Sequence, residues 1–116
     1  MSADGGGSEG APPLEIGPEE AAARRADEGV PFVDVRERFE LDHCHLAPDH
    51  WIPMDELRAR WEEIPADAET VVYCHHGVRS LAAAKFLRSK GLGRVRSLAG
   101  GIDLWSRRID ASVRRY

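Results

Sequence analysis

Short apolar runs and longer amphipathic stretches alternate along this chain. The apolar runs cover residues 14–16, 31–35, 70–73 and 94–98. Runs of this length, rich in β-branched, aromatic and leucine side chains and bounded by turn residues, predict strands buried in a sheet. The run at 70–73, Thr-Val-Val-Tyr, has the strongest pattern because no polar interruption divides it.

The amphipathic stretches predict helices. They cover residues 18–28, 55–63, 80–90 and 102–108. Pro18 suits the first turn of a helix, and Gly29 suits the position just past its end. Within the third stretch, Ala83, Phe86 and Leu87 fall on one face, which indicates a helix packed against the sheet on one side.

This alternation of strands and helices predicts an α/β fold, with a parallel sheet covered by helices on both faces. In such folds, ligands bind outside the carboxyl ends of the strands. Asp34-Val35-Arg36 ends one predicted strand, and Cys74 directly follows another. We therefore expect these residues to meet at one edge of the sheet, and we place the functional site there.

Composition limits the classes of protein to consider. Residues 1–13 are mostly Gly, Ser, Pro and acidic residues, so we expect a disordered lead-in followed by one domain over residues 14–116. The formal net charge of −4 argues against a general nucleic-acid binder. The sequence shows no membrane-spanning run and no secretory signal. We therefore expect a cytoplasmic protein with two free thiols.

The segment from Tyr73 to Ser80 joins the strongest predicted strand to the strongest predicted helix. Its sequence is Tyr-Cys-His-His-Gly-Val-Arg-Ser. Backbone N–H groups of such a loop converge into an anion-binding nest, and the following helix adds the positive end of its dipole. Together with Arg79 they favour a nucleophilic thiolate at Cys74 over an inert core thiol. Gly77 permits the turn, and Ser80 is expected to cap the helix.

Four short blocks stand in order along the chain. They are Asp34-Val35-Arg36, then His45-Leu46 with Ile52-Pro53, then Cys74-x-x-Gly77-x-Arg79-Ser80, and finally Gly100-Gly101-Ile102-x-x-Trp105. With these blocks the chain resembles the rhodanese-like sulfurtransferases over nearly all of residues 14–116. The resemblance implies the rhodanese-like three-layer fold, a five-stranded parallel sheet flanked by helices.

The same resemblance implies a sulfur relay, for which no cofactor is implied. Cys74 takes a sulfane sulfur from a donor such as thiosulfate or a protein persulfide, holds it as a persulfide, and passes it to a nucleophilic acceptor of unknown identity. Arg79 orients the anionic donor, and the backbone amides of residues 75–79 stabilise the persulfide. The residues implied for the substrate-binding loop are His75, His76, Gly77, Val78 and Ser80.

One block departs from the family pattern. After His45-Leu46, Pro48 and Asp49 replace the usual Gly and Ala, so the resemblance does not define the turn there.

In its fold and in the form of this loop, the chain also resembles the dual-specificity phosphatases that control the cell cycle and the related arsenate reductases. Their pattern is Cys-x5-Arg, whereas four residues separate Cys74 from Arg79. A phosphoryl group needs room for its equatorial oxygens, so the shorter loop favours sulfur chemistry over phosphatase activity.

A regulatory or partner-specific sulfur-carrier module is a further alternative, because it has the same sequence pattern as an enzyme. Turnover with small donors, compared with turnover with a purified partner, distinguishes the two.

Histidines and a cysteine at 43–45, with His50 nearby, raise the question of a metal site. Neighbouring residues on an extended chain point to opposite faces, so His43, Cys44 and His45 do not converge easily. We expect no metal there.

Several residues near the loop have supporting or open roles. Cys44 is either a spare thiol, which we favour, or a resolving thiol that forms a disulfide with Cys74 on oxidation. We expect Asp34 and Arg36 to form a structural ion pair behind the loop.

The two loop histidines remain unassigned. Either His75 or His76 faces the pocket and tunes donor binding, or both face solvent. The three tryptophans are expected to pack in or beside the core: Trp51, Trp61 and Trp105.

Overall fold

The computed structural model describes residues 11–116, whose strands form one five-stranded sheet. In chain order the strands are β1 (Glu15–Ile16), β2 (Phe32–Asp34), β3 (His50–Trp51), β4 (Thr70–Tyr73) and β5 (Val95–Leu98). Their spatial order is β1-β5-β4-β2-β3, and every neighbouring pair is parallel. The predicted five-stranded parallel sheet is confirmed.

Among residues 11–116, four α-helices connect these strands and a fifth follows β5. They are α1 (Pro18–Glu28), α2 (Arg38–His43), α3 (Leu57–Arg60), α4 (Val78–Ser89) and α5 (Gly101–Arg108). The helix predicted over residues 55–63 is instead three short pieces, because 3₁₀ turns at Met54–Glu56 and Trp61–Glu63 flank α3.

Helix α2 lies in the polar stretch after β2, where the hydrophobic pattern predicts no helix. It forms around a capping box. The side chain of Glu37 accepts a hydrogen bond from the amide of Glu40, and the carboxylate of Glu40 accepts one from the amide of Glu37 at 3.0 Å. These bonds satisfy two donors at the helix start. They also fix the position of the Glu40 carboxylate.

The two faces of the sheet carry separate cores, because successive side chains of a strand point to opposite sides. Val72 and Cys74 project into the first core, where residues of α3 and α4 cover them. Phe32, Val71 and Tyr73 project into the second core, where residues of α1 and α5 cover them. Cys74 and Tyr73 are neighbours in sequence and therefore lie on opposite faces.

The residues before β1 contact the domain through backbone carbonyls. Arg88 Nη2 donates to the carbonyls of Pro12 and Pro13 at 2.8 and 3.1 Å, and Arg96 Nε donates to that of Pro13 at 2.9 Å. The rest of the lead-in that the sequence predicts to be disordered, residues 1–10, lies outside the described residues. Among residues 11–116, no helix combines the length and the apolar character needed to cross a membrane.

Candidate active site

Cys74 follows β4 at the carboxyl edge of the sheet, and it is 1% exposed. Its Sγ accepts hydrogen bonds from the backbone amides of Gly77 at 3.1 Å and Ser80 at 3.3 Å. Ser80 Oγ lies 3.4 Å from the same sulfur. Donors directed at one atom stabilise a negative charge on that atom. The loop therefore directs two backbone donors at the sulfur of Cys74.

The sulfur of Cys74 also accepts a hydrogen bond from the first turn of α4. Gly77 is the N-cap residue, with φ at 101°, and as a glycine it has no side chain of its own to cap the helix. The amide of Ser80, in the first turn, has no acceptor within the helix, and Cys74 Sγ supplies one. The amides of Gly77 and Ser80 thus hold the sulfur at the start of the helix.

The prediction that Ser80 caps α4 is wrong. The helix begins at Val78, two residues earlier than predicted, so Ser80 lies inside the first turn. Its buried hydroxyl lies 2.8 Å from Ser97 Oγ and 3.4 Å from the carbonyl of Gly77. Val78 itself is 78% exposed. Of the predicted amides of residues 75–79, only that of Gly77 donates to Sγ, and the second donor, the amide of Ser80, lies one residue beyond that stretch.

Helix α5 holds the loop from the other side. The carbonyl of Cys74 accepts a hydrogen bond from the amide of Ile102 at 2.9 Å, and that of His75 accepts one from the amide of Asp103 at 3.1 Å. Gly101 has φ at 61°, and a Cβ there would overlap the carbonyl of His75. Glycine is therefore required where the helix approaches the loop backbone.

Arg79 forms a two-pronged ion pair with Glu40. Its Nη1 and Nη2 donate to the two carboxylate oxygens of Glu40 at 2.7 and 2.8 Å. The pKa of Arg79 is raised, chiefly by these bonds and to a smaller extent by the charge of Cys74. The sequence predicts that Arg79 orients an anionic donor. In this structure the guanidinium of Arg79 is bound by the carboxylate of Glu40, and the role of Arg79 in binding a donor stays a prediction.

Glu40 is the centre of a wider network. Its side chain is 4% exposed, and Oε2 also accepts a hydrogen bond from the hydroxyl of Tyr116 at 2.7 Å. Burial acts to raise the pKa of Glu40, but the hydrogen bonds from Arg79, the Glu37 amide and Tyr116 outweigh burial and lower the pKa to about 2. Glu40 is therefore a carboxylate across the physiological pH range.

The expected ion pair between Asp34 and Arg36 is present and fully buried. Arg36 Nη2 and Nε donate to the Asp34 carboxylate at 2.7 and 2.9 Å, and both side chains are 0% exposed. Arg36 Nη1 also donates to the hydroxyl of Tyr116 at 2.8 Å. Burial opposes the charge of Arg36, but its bonds to Asp34 keep its pKa above the usual value. Tyr116 therefore links this pair to Glu40.

Asp49, which departs from the family pattern, has a defined partner. The hydroxyl of Tyr73 lies 2.5 Å from Asp49 Oδ2 and 3.1 Å from Asp34 Oδ2, and it accepts a hydrogen bond from the amide of Leu46 at 3.0 Å. Burial and the nearby charge of Asp34 raise the pKa of Tyr73. The departure thus adds a carboxylate partner for a buried tyrosine.

The loop histidines differ in environment. The ring of His75 stacks between those of His76 and Tyr116, with centroid distances of 3.8 and 3.9 Å. His75 Nε2 is buried and has no hydrogen-bond partner among residues 11–116, whereas His76 is exposed. Burial and the neighbouring His76 lower the pKa of His75. His75 is therefore the histidine that packs against Tyr116, whereas His76 faces solvent.

Asp103 lies beside His75 and His76, although the sequence gives no reason to group it with the two loop histidines. Their ligand atoms all lie within 4.8 Å of one another. The two imidazole rings are stacked, with planes 28° apart, whereas the rings that ligate one metal ion must both have that ion in or near their planes. Asp103 is also bonded to Arg115 Nε at 2.9 Å. Metal binding would require ring rotation and loss of this pair, and we assign no metal here.

Cys44 packs away from Cys74. Its Sγ donates to the carbonyl of Arg114 at 2.9 Å, and its side chain packs against the core on the Tyr73 side of the sheet. Cys74 belongs to the core on the other side. Both cysteines are free. This placement favours a spare thiol over a resolving one.

Three residues of the site are absent from the sequence-based assignment: Glu40, Ser97 and Tyr116. The spacing of Glu37 and Glu40 is that of a capping box, and this signal could have placed α2 and the Glu40 carboxylate. Tyr116 lies 80 residues from Arg36 along the chain, so no local pattern connects the two.

Comparison with known proteins identifies the family of this chain. The family model for the rhodanese-like domain matches residues 17–108. A sulfurtransferase of Allochromatium vinosum is 39% identical over 94 residues, covering 80% of this chain and 88% of the relative. The thiosulfate sulfurtransferase GlpE of Pseudomonas fluorescens is 38% identical over 90 residues, covering 78% and 82%. The crystal structure of a rhodanese-related protein from Thermoplasma volcanium is similar with a TM-score of 0.75 at 34% identity, covering 82% and 92%.

Proposed function

Because this chain belongs to the rhodanese-like domain family, we propose that it is a sulfurtransferase that carries a sulfane sulfur on Cys74 as a persulfide. The observation that carries the proposal is the convergence of the Gly77 and Ser80 amides on Cys74 Sγ. Relatives that cover most of this chain are named sulfurtransferase and thiosulfate sulfurtransferase, which supports the same reaction class.

The reaction consists of two displacements at sulfur. The Cys74 thiolate attacks the outer sulfur of the donor, a new S–S bond forms, and the bond within the donor breaks. With thiosulfate, the leaving group is sulfite, which departs with the electron pair of the broken bond. A nucleophilic acceptor then attacks the outer sulfur of the Cys74 persulfide, and Cys74 leaves as a thiolate. No net oxidation occurs, so the cycle requires no redox cofactor.

The loop supports both displacements through its backbone. Cys74 is the nucleophile in the first step and the leaving group in the second, and its sulfur bears negative charge at both stages. The amides of Gly77 and Ser80 donate to that charge, and they are fixed by the start of α4. Because these donors are already oriented, they need no reorganisation during the reaction.

The test is the intact mass of the reduced protein after exposure to a sulfur donor. Wild type should gain one sulfur atom from either thiosulfate or a cysteine-derived persulfide, and dithiothreitol should remove it. Cys74→Ser should gain none, because the nucleophile is lost. The proposal is contradicted if wild type gains sulfur from neither donor.

Cys44→Ser is the matched control, since it removes the other free cysteine, on the far side of the sheet. This variant should load sulfur as wild type does. If loading instead survives in Cys74→Ser and disappears in Cys44→Ser, the sulfur is carried on Cys44 and the role proposed for Cys74 is wrong.

A further inference from the structure

The guanidinium expected to attract an anionic donor is already bound by Glu40. We propose that Glu40 determines which donor the site accepts, by withholding Arg79 from small dianions such as thiosulfate and so favouring a persulfide carried on a thiol. The inference rests on the proposed sulfur transfer and names its donor class. Glu40 acts through Arg79, so it is a positioning residue.

The ion pair is built to persist. Both carboxylate oxygens of Glu40 contact Arg79, and each has a second donor: the amide of Glu37 at 3.0 Å and the hydroxyl of Tyr116 at 2.7 Å. Two-pronged pairs between a guanidinium and a carboxylate are among the strongest hydrogen-bonded pairs in proteins. A free anion must compete with an intramolecular carboxylate that is already oriented.

Acidic residues also line the approach to Arg79. A cavity of about 290 Å³ opens beside its side chain. The lining residues are Val35, Glu37, Met54, Asp55 and Arg79. Glu37 and Asp55 contribute two carboxylates to this lining. They add to the carboxylate of Glu40, which neutralises the guanidinium of Arg79. Like charges placed together disfavour a ligand of the same sign, so a dianion is disfavoured more strongly than a neutral or singly charged donor.

The two donor classes place different demands on a cation. Attack of the Cys74 thiolate on thiosulfate brings together three negative charges, and sulfite leaves as a dianion. Attack on the outer sulfur of a thiol persulfide, RSSH, forms the Cys74 persulfide and expels one thiolate, which carries a single charge. An unavailable Arg79 therefore slows the first reaction more than the second.

The test compares second-order rate constants for loading sulfur onto Cys74, followed by intact mass, with thiosulfate and with the persulfide of a charge-neutral cysteine derivative. Glu40→Gln keeps the shape of the side chain and removes its charge. The thiosulfate rate constant should rise about tenfold or more, the size of one charge-assisted hydrogen bond released to the donor. The persulfide rate constant should change less than about threefold.

The matched control is Asp42→Asn, which removes one charge from the same helix at a site that is 71% exposed. Its two rate constants should stay in the wild-type ratio. Tyr116→Phe provides a second measurement that leaves every charge in place. It removes one hydrogen bond to Glu40 and should raise the thiosulfate rate constant less than Glu40→Gln does.

An unchanged or lower ratio of thiosulfate to persulfide loading in folded Glu40→Gln would overturn the role of Glu40. An unchanged ratio in Tyr116→Phe would overturn it as well if Glu40→Gln does not fold. In both cases, loading of wild-type Cys74 would leave the proposed function standing. Absence of loading from both donors in wild type would instead overturn the proposed function.

Discussion

The two sides of the Cys74 loop rely on different kinds of interaction, backbone hydrogen bonds on one side and side-chain ion pairs on the other. On the sulfur side, backbone amides of Gly77 and Ser80 face Sγ. On the other side, two ion pairs, Asp34–Arg36 and Arg79–Glu40, are joined through Tyr116. Backbone donors stay in place when neighbouring side chains change, whereas a buried charge that loses its partner is costly. Damage to the sulfur side should therefore alter chemistry, and damage to the charged side should first alter stability.

The largest effect is expected from Asp34→Asn. This change leaves the fully buried Arg36 without its carboxylate, and breaking such a pair costs about 3 to 5 kcal/mol. Urea denaturation measures the loss. The control Asp42→Asn removes an exposed carboxylate that lies 3.8 Å from Arg38, and it should change stability little. Equal stability of the two variants would break the distinction between the two sides.

A smaller and pH-dependent effect is expected at Glu40, whose pKa is lowered from 4.5 to about 2. A lowered pKa means that the carboxylate stabilises the fold above pH 4.5 and that this contribution is lost as pH falls toward 2. The contribution is roughly 2 to 3 kcal/mol. The difference in free energy of unfolding between wild type and Glu40→Gln should therefore shrink from pH 6 to pH 3. A constant difference over this range would show that the charge of Glu40 does not stabilise the fold.

The smallest effect tests the contact between α5 and the Cys74 loop. Gly101→Ala places a Cβ against the carbonyl of His75 and forces alanine into a left-handed conformation. The expected cost is about 1 to 3 kcal/mol, together with slower loading of Cys74. Gly29→Ala is the control, because Gly29 has a similar φ of 66° but no atom within 4 Å of the added Cβ. Equal loading rates in the two variants would show that the close approach of α5 to the loop is unimportant.

Local patterns predicted the elements whose stability is local or fully apolar. Helix α1 begins at Pro18 and ends at Glu28 as the sequence predicts, because Pro18 and Gly29 define its ends without reference to the rest of the chain. Strand β4 also has its predicted bounds, since Thr-Val-Val-Tyr favours extended backbone and is buried throughout. Helix α2 was missed because reciprocal capping, and not an apolar stripe, defines its start.

The site follows the same division. Local sequence patterns predict the family resemblance, the position of Cys74 after a buried strand and the Gly77-containing turn, because these features depend on neighbours in the chain. The packing of distant elements is needed to show that Arg79 is bound by Glu40, 39 residues away, and that Tyr116 joins Arg36, 80 residues away, to the same carboxylate. The physical reason is distance along the chain: a charge finds its partner through the packing of separate elements, and no local spacing specifies that partner.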